Sequence, residues 1–156
     1  MKPTVVQLSD ASATRVLGAD LAHRWLALPA AQRPLLLLQG DLGAGKTCLV
    51  QGMAQGLGIA EAITSPTFAL AQHYQGSSGA LVHLDLYRLE QAAAADELLA
   101  QEEEAAQELG ALLAVEWPER LGTVPEPCWR VELDLLDPHN PEQGRLARLA
   151  GIDALT

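Results

Sequence analysis

The stretch Leu35-Leu36-Leu37-Leu38-Gln39-Gly40-Asp41-Leu42-Gly43-Ala44-Gly45-Lys46-Thr47 decides the fold. Its first five residues form a mostly apolar run of strand length, as expected of a strand buried on both faces. Its last eight fit G-x-x-x-x-G-K-[ST] at every fixed position, and chance odds of such a match are roughly one in a thousand. Each fixed position has a physical task. The glycines permit backbone angles that turn several N–H groups inward around an anion, with no side chain blocking the approach. A helix beginning near Lys46 aims its positive end at the same anion. Lys46 sets a compact charge between phosphates, and the Thr47 hydroxyl is a ligand for Mg2+. The chain has only two lysines, Lys2 and Lys46, and otherwise uses arginine. It keeps lysine where a point charge rather than a planar fork is required.

Outward from this loop, Leu49, Val50, Met53, Ala54 and Leu57 fall on one helical face, and Gly56 and Gly58 supply its stop. Upstream, residues 4–8 read as a short strand. Ser9, Asp10 or Ser12 can cap the following helix, in which Leu17, Leu21, Trp25 and Leu28 recur at helical spacing. Pro29 and Pro34 bracket a loop. Downstream, residues 67–74 and 80–87 read as a hairpin around Gly76-Ser77-Ser78-Gly79. Asp96–Leu109 is expected as an acidic amphipathic helix with Leu98, Leu99, Ala105 and Leu109 inward and Gly110 at its end. Ala111–Glu116 reads as a second buried strand, and Trp129–Leu136 and Arg145–Leu149 as two further elements. The expectation is one α/β domain over residues 1–156. Its central sheet is mixed, mostly parallel and flanked by helices, with antiparallel additions.

Composition narrows the function. A chain of 156 residues suits one core, and no apolar run approaches the length of a membrane span. The start, Met-Lys-Pro-Thr, leads into a polar stretch rather than a signal-peptide core, so a cytoplasmic location is expected. Cys48 and Cys128 match no metal-ligand spacing and read as free thiols; the four histidines are scattered singly. With a net charge of −10 and thinly spread basic residues, the chain lacks the cluster that grips nucleic acid. A role in nucleic-acid metabolism would run through a protein partner.

A triphosphate cradle needs an acidic element at the end of a neighbouring strand to hold Mg2+, directly or through water. Leu81–Asp85 and Leu112–Glu116 are both largely apolar runs ending in a carboxylate, so Asp85 and Glu116 both qualify. Thr64-Ser65-Pro66-Thr67 is a hydroxyl-rich loop that either reaches the γ-phosphate or simply caps the next strand. Trp117 reads as a core or rim aromatic by default; beside Glu116 it can instead exclude water, stack on a base or face a partner. Arg88 and Arg120 are either solvated or neutralise transition-state charge.

Four segments together resemble the TsaE family. They are Gly40-Asp41-Leu42-Gly43-Ala44-Gly45-Lys46-Thr47, Thr64-Ser65-Pro66-Thr67-Phe68, His83-Leu84-Asp85-Leu86-Tyr87-Arg88 and Val115-Glu116-Trp117-Pro118-Glu119-Arg120. Their order and spacing agree with the family along nearly the whole chain. The resemblance implies a P-loop NTPase fold and ATP with Mg2+ as cofactors, consistent with the lack of an Asn-Lys-x-Asp guanine reader. It implies hydrolysis that drives or resets the TsaB and TsaD proteins as they make threonylcarbamoyladenosine in tRNA, the tRNA being reached only through that complex. By position it places Asp41, Leu42, Gly43, Ala44, Gly45, Lys46, Thr47, Cys48 and Trp117 around the nucleotide. Thr47, Glu116 and Asp85 fall to the metal, and Lys46, Asp85, Glu116 and Thr67 to catalysis. The residues around Leu8–Thr14 are expected beside the adenine, with Arg130 or Arg145 as further contacts. Cys48 departs from the family, in which a second Thr is common; its N–H can still donate to the α-phosphate. Two other functions share such a cradle: a small-molecule kinase, for which the arginines are too scattered, and a nucleotide-gated binding module.

Overall fold

Three leucines of Leu35–Gln39 divide between two cores, and this division organises the molecule. The computed structural model describes residues 4–41, 43–64 and 70–152. Leu36 and Leu38 join one buried cluster and Leu37 the other, so this strand is covered on both faces as its composition requires. Each buried leucine contributes at most about 1.5–3 kcal/mol.

The strands are β1 (Thr4–Leu8), β2 (Leu35–Gln39), β3 (Ala71–Gln75), β4 (Ala80–Asp85), β5 (Ala111–Glu116), β6 (Cys128–Leu135) and β7 (Arg145–Ala150). The helices are α1 (Ala11–Ala27), α2 (Lys46–Gly56) and α3 (Ala92–Leu109). All seven strands form one sheet in the order β1-β7-β6-β2-β5-β4-β3. Its centre, β6-β2-β5-β4, is parallel. The pairs β3–β4, β6–β7 and β1–β7 are antiparallel. This is the expected mixed sheet, with the antiparallel additions at its two edges. Helices α1 and α2 cover one face through Leu17, Leu21, Trp25, Leu49 and Met53. Helix α3 covers the other through Ala95, Leu99 and Ala106.

Local signals agree with the sequence at several ends. Asp10 is the N-cap of α1, its carboxylate accepting from the Ala13 N–H at 2.8 Å. Gly110 closes α3 in the left-handed conformation. Three expectations need correction. Strand β4 ends at Asp85 rather than at residue 87, because the Asp85 carboxylate accepts the Tyr87 N–H at 2.9 Å and turns the chain off the sheet. Helix α3 begins at Ala92, not Asp96, since Ala92–Ala95 are strong helix formers that extend it by a turn. Its inward stripe is Ala95, Leu99, Glu102 and Ala106, while Leu98 and Ala105 are half-buried and Leu109 is 40% exposed. Glu102 tolerates burial because His73 bonds its carboxylate at 2.8 Å. Residues 67–69 of the expected first hairpin strand lie outside the described residues; the hairpin itself forms between β3 and β4.

Candidate active site at the carboxyl ends of the parallel strands

The loop between β2 and α2 is built on glycine conformations. Gly43 and Gly45 have φ of +83° and +104°, which side-chain-bearing residues rarely adopt. A Cβ at Gly43 would meet nothing within 4 Å, so open space faces this loop. The Ala44 N–H donates to the Asp41 carbonyl at 3.0 Å, closing a turn. Gly45 caps α2 with no side-chain hydrogen bond, leaving the helix start to an external acceptor. Thr47 and Cys48 lie half-buried in the first turn. Leu42 lies outside the described residues.

Lys46 opens α2 and is only 6% exposed. Its Nζ has no hydrogen-bond partner among the described residues. The ammonium sits 3.8 Å from Glu116 Oε1 and 4.1 Å from the centre of the Trp117 ring. Burial pulls its pKa below the ordinary lysine value, against the opposing pull of Glu116, Asp85, Glu119 and Asp41.

The two strand-end carboxylates come together by register: Asp85 of β4 pairs with Glu116 of β5. Alternation puts both on the α2 face, along with His83 and Ala114 two pairs earlier. Glu116 is 3% exposed, and its Oε2 is hydrogen-bonded to Nε2 of the fully buried His83. The Asp85 carboxyl is pushed above its usual range, first by burial and also by Glu116; the Tyr87 N–H, His83 and Lys46 act against the rise. Directly after Glu116, Trp117 adopts φ +60°, ψ +51°. For a residue with a Cβ this costs on the order of 1–2 kcal/mol. The bend holds the indole beside Lys46 and against Tyr87, with ring centroids 4.9 Å apart. Arg120 lies 5.8 Å from the far ring of this stack.

Beside the loop lies a groove of about 290 Å³ lined by Ser9, Asp10, Thr14, Gly45, Cys48 and Arg145, among others. It contains the segment expected beside an adenine. A larger cavity of about 430 Å³, which includes Trp25, Leu35, Glu103 and Ala111, lies where β2 and β5 begin. Ligands of open α/β sheets bind outside the carboxyl ends of the strands, so the smaller groove is the candidate site. Arg130 is not part of it: its register partner Leu37 points to the α3 side. Arg88 is exposed. Thr67, with Ser65, Pro66 and Phe68, lies outside the described residues.

The residues present fit a nucleotide triphosphate with Mg2+. A buried ammonium without a hydrogen-bond partner among the described residues opens the helix that follows a loop with open space at Gly43, and the oxygen donors Thr47, Asp85 and Glu116 suit a hard cation. No group of three His, Cys, Asp or Glu forms a metal cage among the described residues.

Two contributors were not legible as site residues. His83 reads from sequence as one of four scattered histidines and as the opening of a family-like segment, with no role of its own, yet it lies two residues before Asp85 and therefore on the same strand face, a signal that period-2 reading offers. Arg145 figured only as an adenine contact, whereas its guanidinium bonds the loop itself, at Gly43 and Ala44.

The chain is similar to known proteins in sequence and in fold. The family model described as threonylcarbamoyl adenosine biosynthesis protein TsaE matches residues 8–143. A Synechocystis protein named tRNA threonylcarbamoyladenosine biosynthesis protein TsaE is 47% identical over 121 residues, covering 76% of this chain and 72% of its own. A Nostoc protein of the same name is 42% identical over 118 residues, covering 76% and 70%. The crystal structure of Bacillus subtilis YdiB shares the fold with a TM-score of 0.68 at 24% identity, over 95% of this chain and 84% of that one.

Proposed function

The chain belongs to the TsaE family of threonylcarbamoyl adenosine biosynthesis proteins, and from that membership we propose that it is an ATPase subunit of the tRNA-modifying machinery. It binds ATP at the loop of residues 40–48 and hydrolyses it. Turnover drives or resets a complex with the TsaB and TsaD proteins, and tRNA is met only through them. The observation that carries this reading is Lys46: a buried ammonium at the start of the loop's helix, with no hydrogen-bond partner among the described residues and 3.8 Å from a strand-end carboxylate. Among the described residues no helix is long and apolar enough to cross a membrane, and the proposed place of action is the cytoplasm.

The chain's own residues divide the work. Lys46 leaves its contact with Glu116 to lie between the β- and γ-phosphates, where it stabilises charge that grows in the transition state. Backbone N–H groups of residues 43–48 orient the phosphates for in-line attack by water. Bound Mg2+ would be held by Thr47 with Asp85 or Glu116 and would supply charge neutralisation of the phosphate oxygens. His83 holds one oxygen of Glu116 and leaves the other facing Lys46, so the carboxylate is oriented before nucleotide arrives. Whichever carboxylate does not serve the metal orients the water. Trp117 covers Lys46 and excludes bulk water. Thr67, outside the described residues, is assigned to catalysis by the family resemblance alone.

Phosphate release from Mg-ATP, measured for the chain alone and with TsaB and TsaD, tests the proposal. Slow turnover alone, stimulated by the partners and lost in Lys46→Ala, is the expected result. Intact ATP binding without stimulation would favour a nucleotide-gated binding module. That second reading draws on the stack from Lys46 through Trp117 to Tyr87, which is 42% exposed and links the phosphate site to the surface.

A further inference from the structure

Arg145, the first residue of β7, spends its guanidinium on backbone carbonyls. Nε donates to Ala44 O at 3.0 Å and Nη2 to Gly43 O at 3.1 Å. Nη1 donates to Pro141 O at 2.6 Å and to Gly144 O at 3.2 Å. Two of these carbonyls belong to the phosphate loop and two to the turn that precedes β7. One planar fork thus ties the loop to a strand about a hundred residues away.

The consequence follows from peptide geometry. In a planar trans peptide the carbonyl and the next N–H point in opposite directions. Holding Gly43 O toward Arg145 sends the Ala44 N–H away, and it is indeed found on the Asp41 carbonyl at 3.0 Å. Holding Ala44 O the same way turns the Gly45 N–H away from Arg145 and into the loop. Glycine peptides rotate at little steric cost, and both peptides flank glycines, so a cradle of this composition needs an outside grip to keep its N–H groups aimed. Lysine could not supply it. Its three donors radiate from one point, whereas Arg145 spans two successive carbonyls with a fixed fork.

We propose that Arg145 is a positioning residue for nucleotide binding, pinning the Gly43 and Ala44 carbonyls outward so that the Gly45 N–H is presented to the phosphates. This rests on the reading that the loop binds ATP. Arg145 acts through the loop backbone and so governs affinity more than the chemical step.

The test measures binding of a non-hydrolysable ATP analogue with Mg2+ by calorimetry on the full chain, together with kcat, KM and melting temperature. Arg145→Ala should weaken binding at least about tenfold, the scale of losing charge-assisted hydrogen bonds. KM should rise with a much smaller change in kcat. Arg145→Lys should recover only part of the loss, and added guanidinium ion should restore binding to the Ala variant. Arg148→Ala, on the same strand but paired with Asp134 and Glu132, should bind as the unaltered chain does. Equal affinity in Arg145→Ala and the unaltered chain overturns the proposal. So does a loss that tracks a fall in melting temperature and responds neither to Lys nor to guanidinium. Should the Ala variant fail to fold, Arg145→Gln and Arg145→Lys carry the same comparison. Absence of binding by the unaltered chain would instead overturn the ATP reading itself.

Discussion

Asp85 shows how the site opposes the fold that carries it. Burial raises its pKa in the folded state above the unfolded value of about 3.9. A carboxyl shifted this way contributes stability that is full below the unfolded pKa and lost as pH rises through the folded one. At neutral pH the ionised group therefore weighs against folding, with Glu116 as its register neighbour. Asp85→Asn keeps an acceptor for the Tyr87 N–H and removes the charge. It should raise the melting temperature of the nucleotide-free protein by a few degrees at pH 7, and the gap should close as pH falls toward 4. The same change should weaken Mg2+-dependent turnover, the trade expected where a site is held at a cost in stability. Melting curves of the two proteins across that pH range decide it: a gap that stays constant with pH would show that the charge is not the cause.

At the scale of elements, the contact between α1 and α2 sets the position of the loop. A Cβ on Gly52 would lie 2.0 Å from the Arg15 carbonyl oxygen, and one on Gly18 would lie 2.2 Å from the Leu49 carbonyl oxygen. The helices meet backbone to backbone, and neither can give way cheaply. Gly52→Ala, otherwise favourable in a helix interior, should destabilise by about 1–3 kcal/mol or more because the clash is with main chain. Since α2 carries Lys46 and Thr47, ATP affinity should fall with stability, as calorimetry of binding and unfolding would register. A variant as stable as the parent would mean the helices part freely. These glycines also mark where sequence reading stopped. Gly56 and Gly58 were legible as a helix stop because that role is local, whereas Gly18 and Gly52 answer to a different helix. The same division runs through the site. Lys46, Asp85 and Glu116 announce themselves by motif and by position at strand ends. The bond from His83 to Glu116 and the fork of Arg145 span 33 and about a hundred residues, and become visible only when the strands are in register. The inward stripe of α3 was misplaced for a related reason, since Glu102 is buried only because His73 arrives from β3.

The whole molecule is a parallel four-stranded centre with its chemistry at one end, carried by a chain of net charge −10. That charge bears on how such a protein can serve tRNA modification. Binding to a polyanion by counterion release needs clustered cations, and affinity of that kind falls steeply with salt. Here several arginines are committed internally: Arg24 to Asp20, Arg33 to the carbonyls of Leu26 and Leu28, Arg145 to the loop, and Arg148 to Asp134 and Glu132. Repulsion between the acidic chain and phosphate would leave little attraction even at low salt. The chain alone should therefore fail to retain tRNA in filter binding at about 50 mM salt, where a protein making several phosphate contacts would bind well. Retention should appear only when TsaB and TsaD are added. Salt-sensitive binding by the isolated chain would reveal a basic surface formed on binding, and would move tRNA from an indirect to a direct partner. If the proposed complex with TsaB and TsaD forms, like charge resists close approach of this chain of net charge −10 to any acidic surface, so its partner should offer a complementary basic patch, and raising salt should slow the onset of ATPase stimulation more than it lowers the saturated rate.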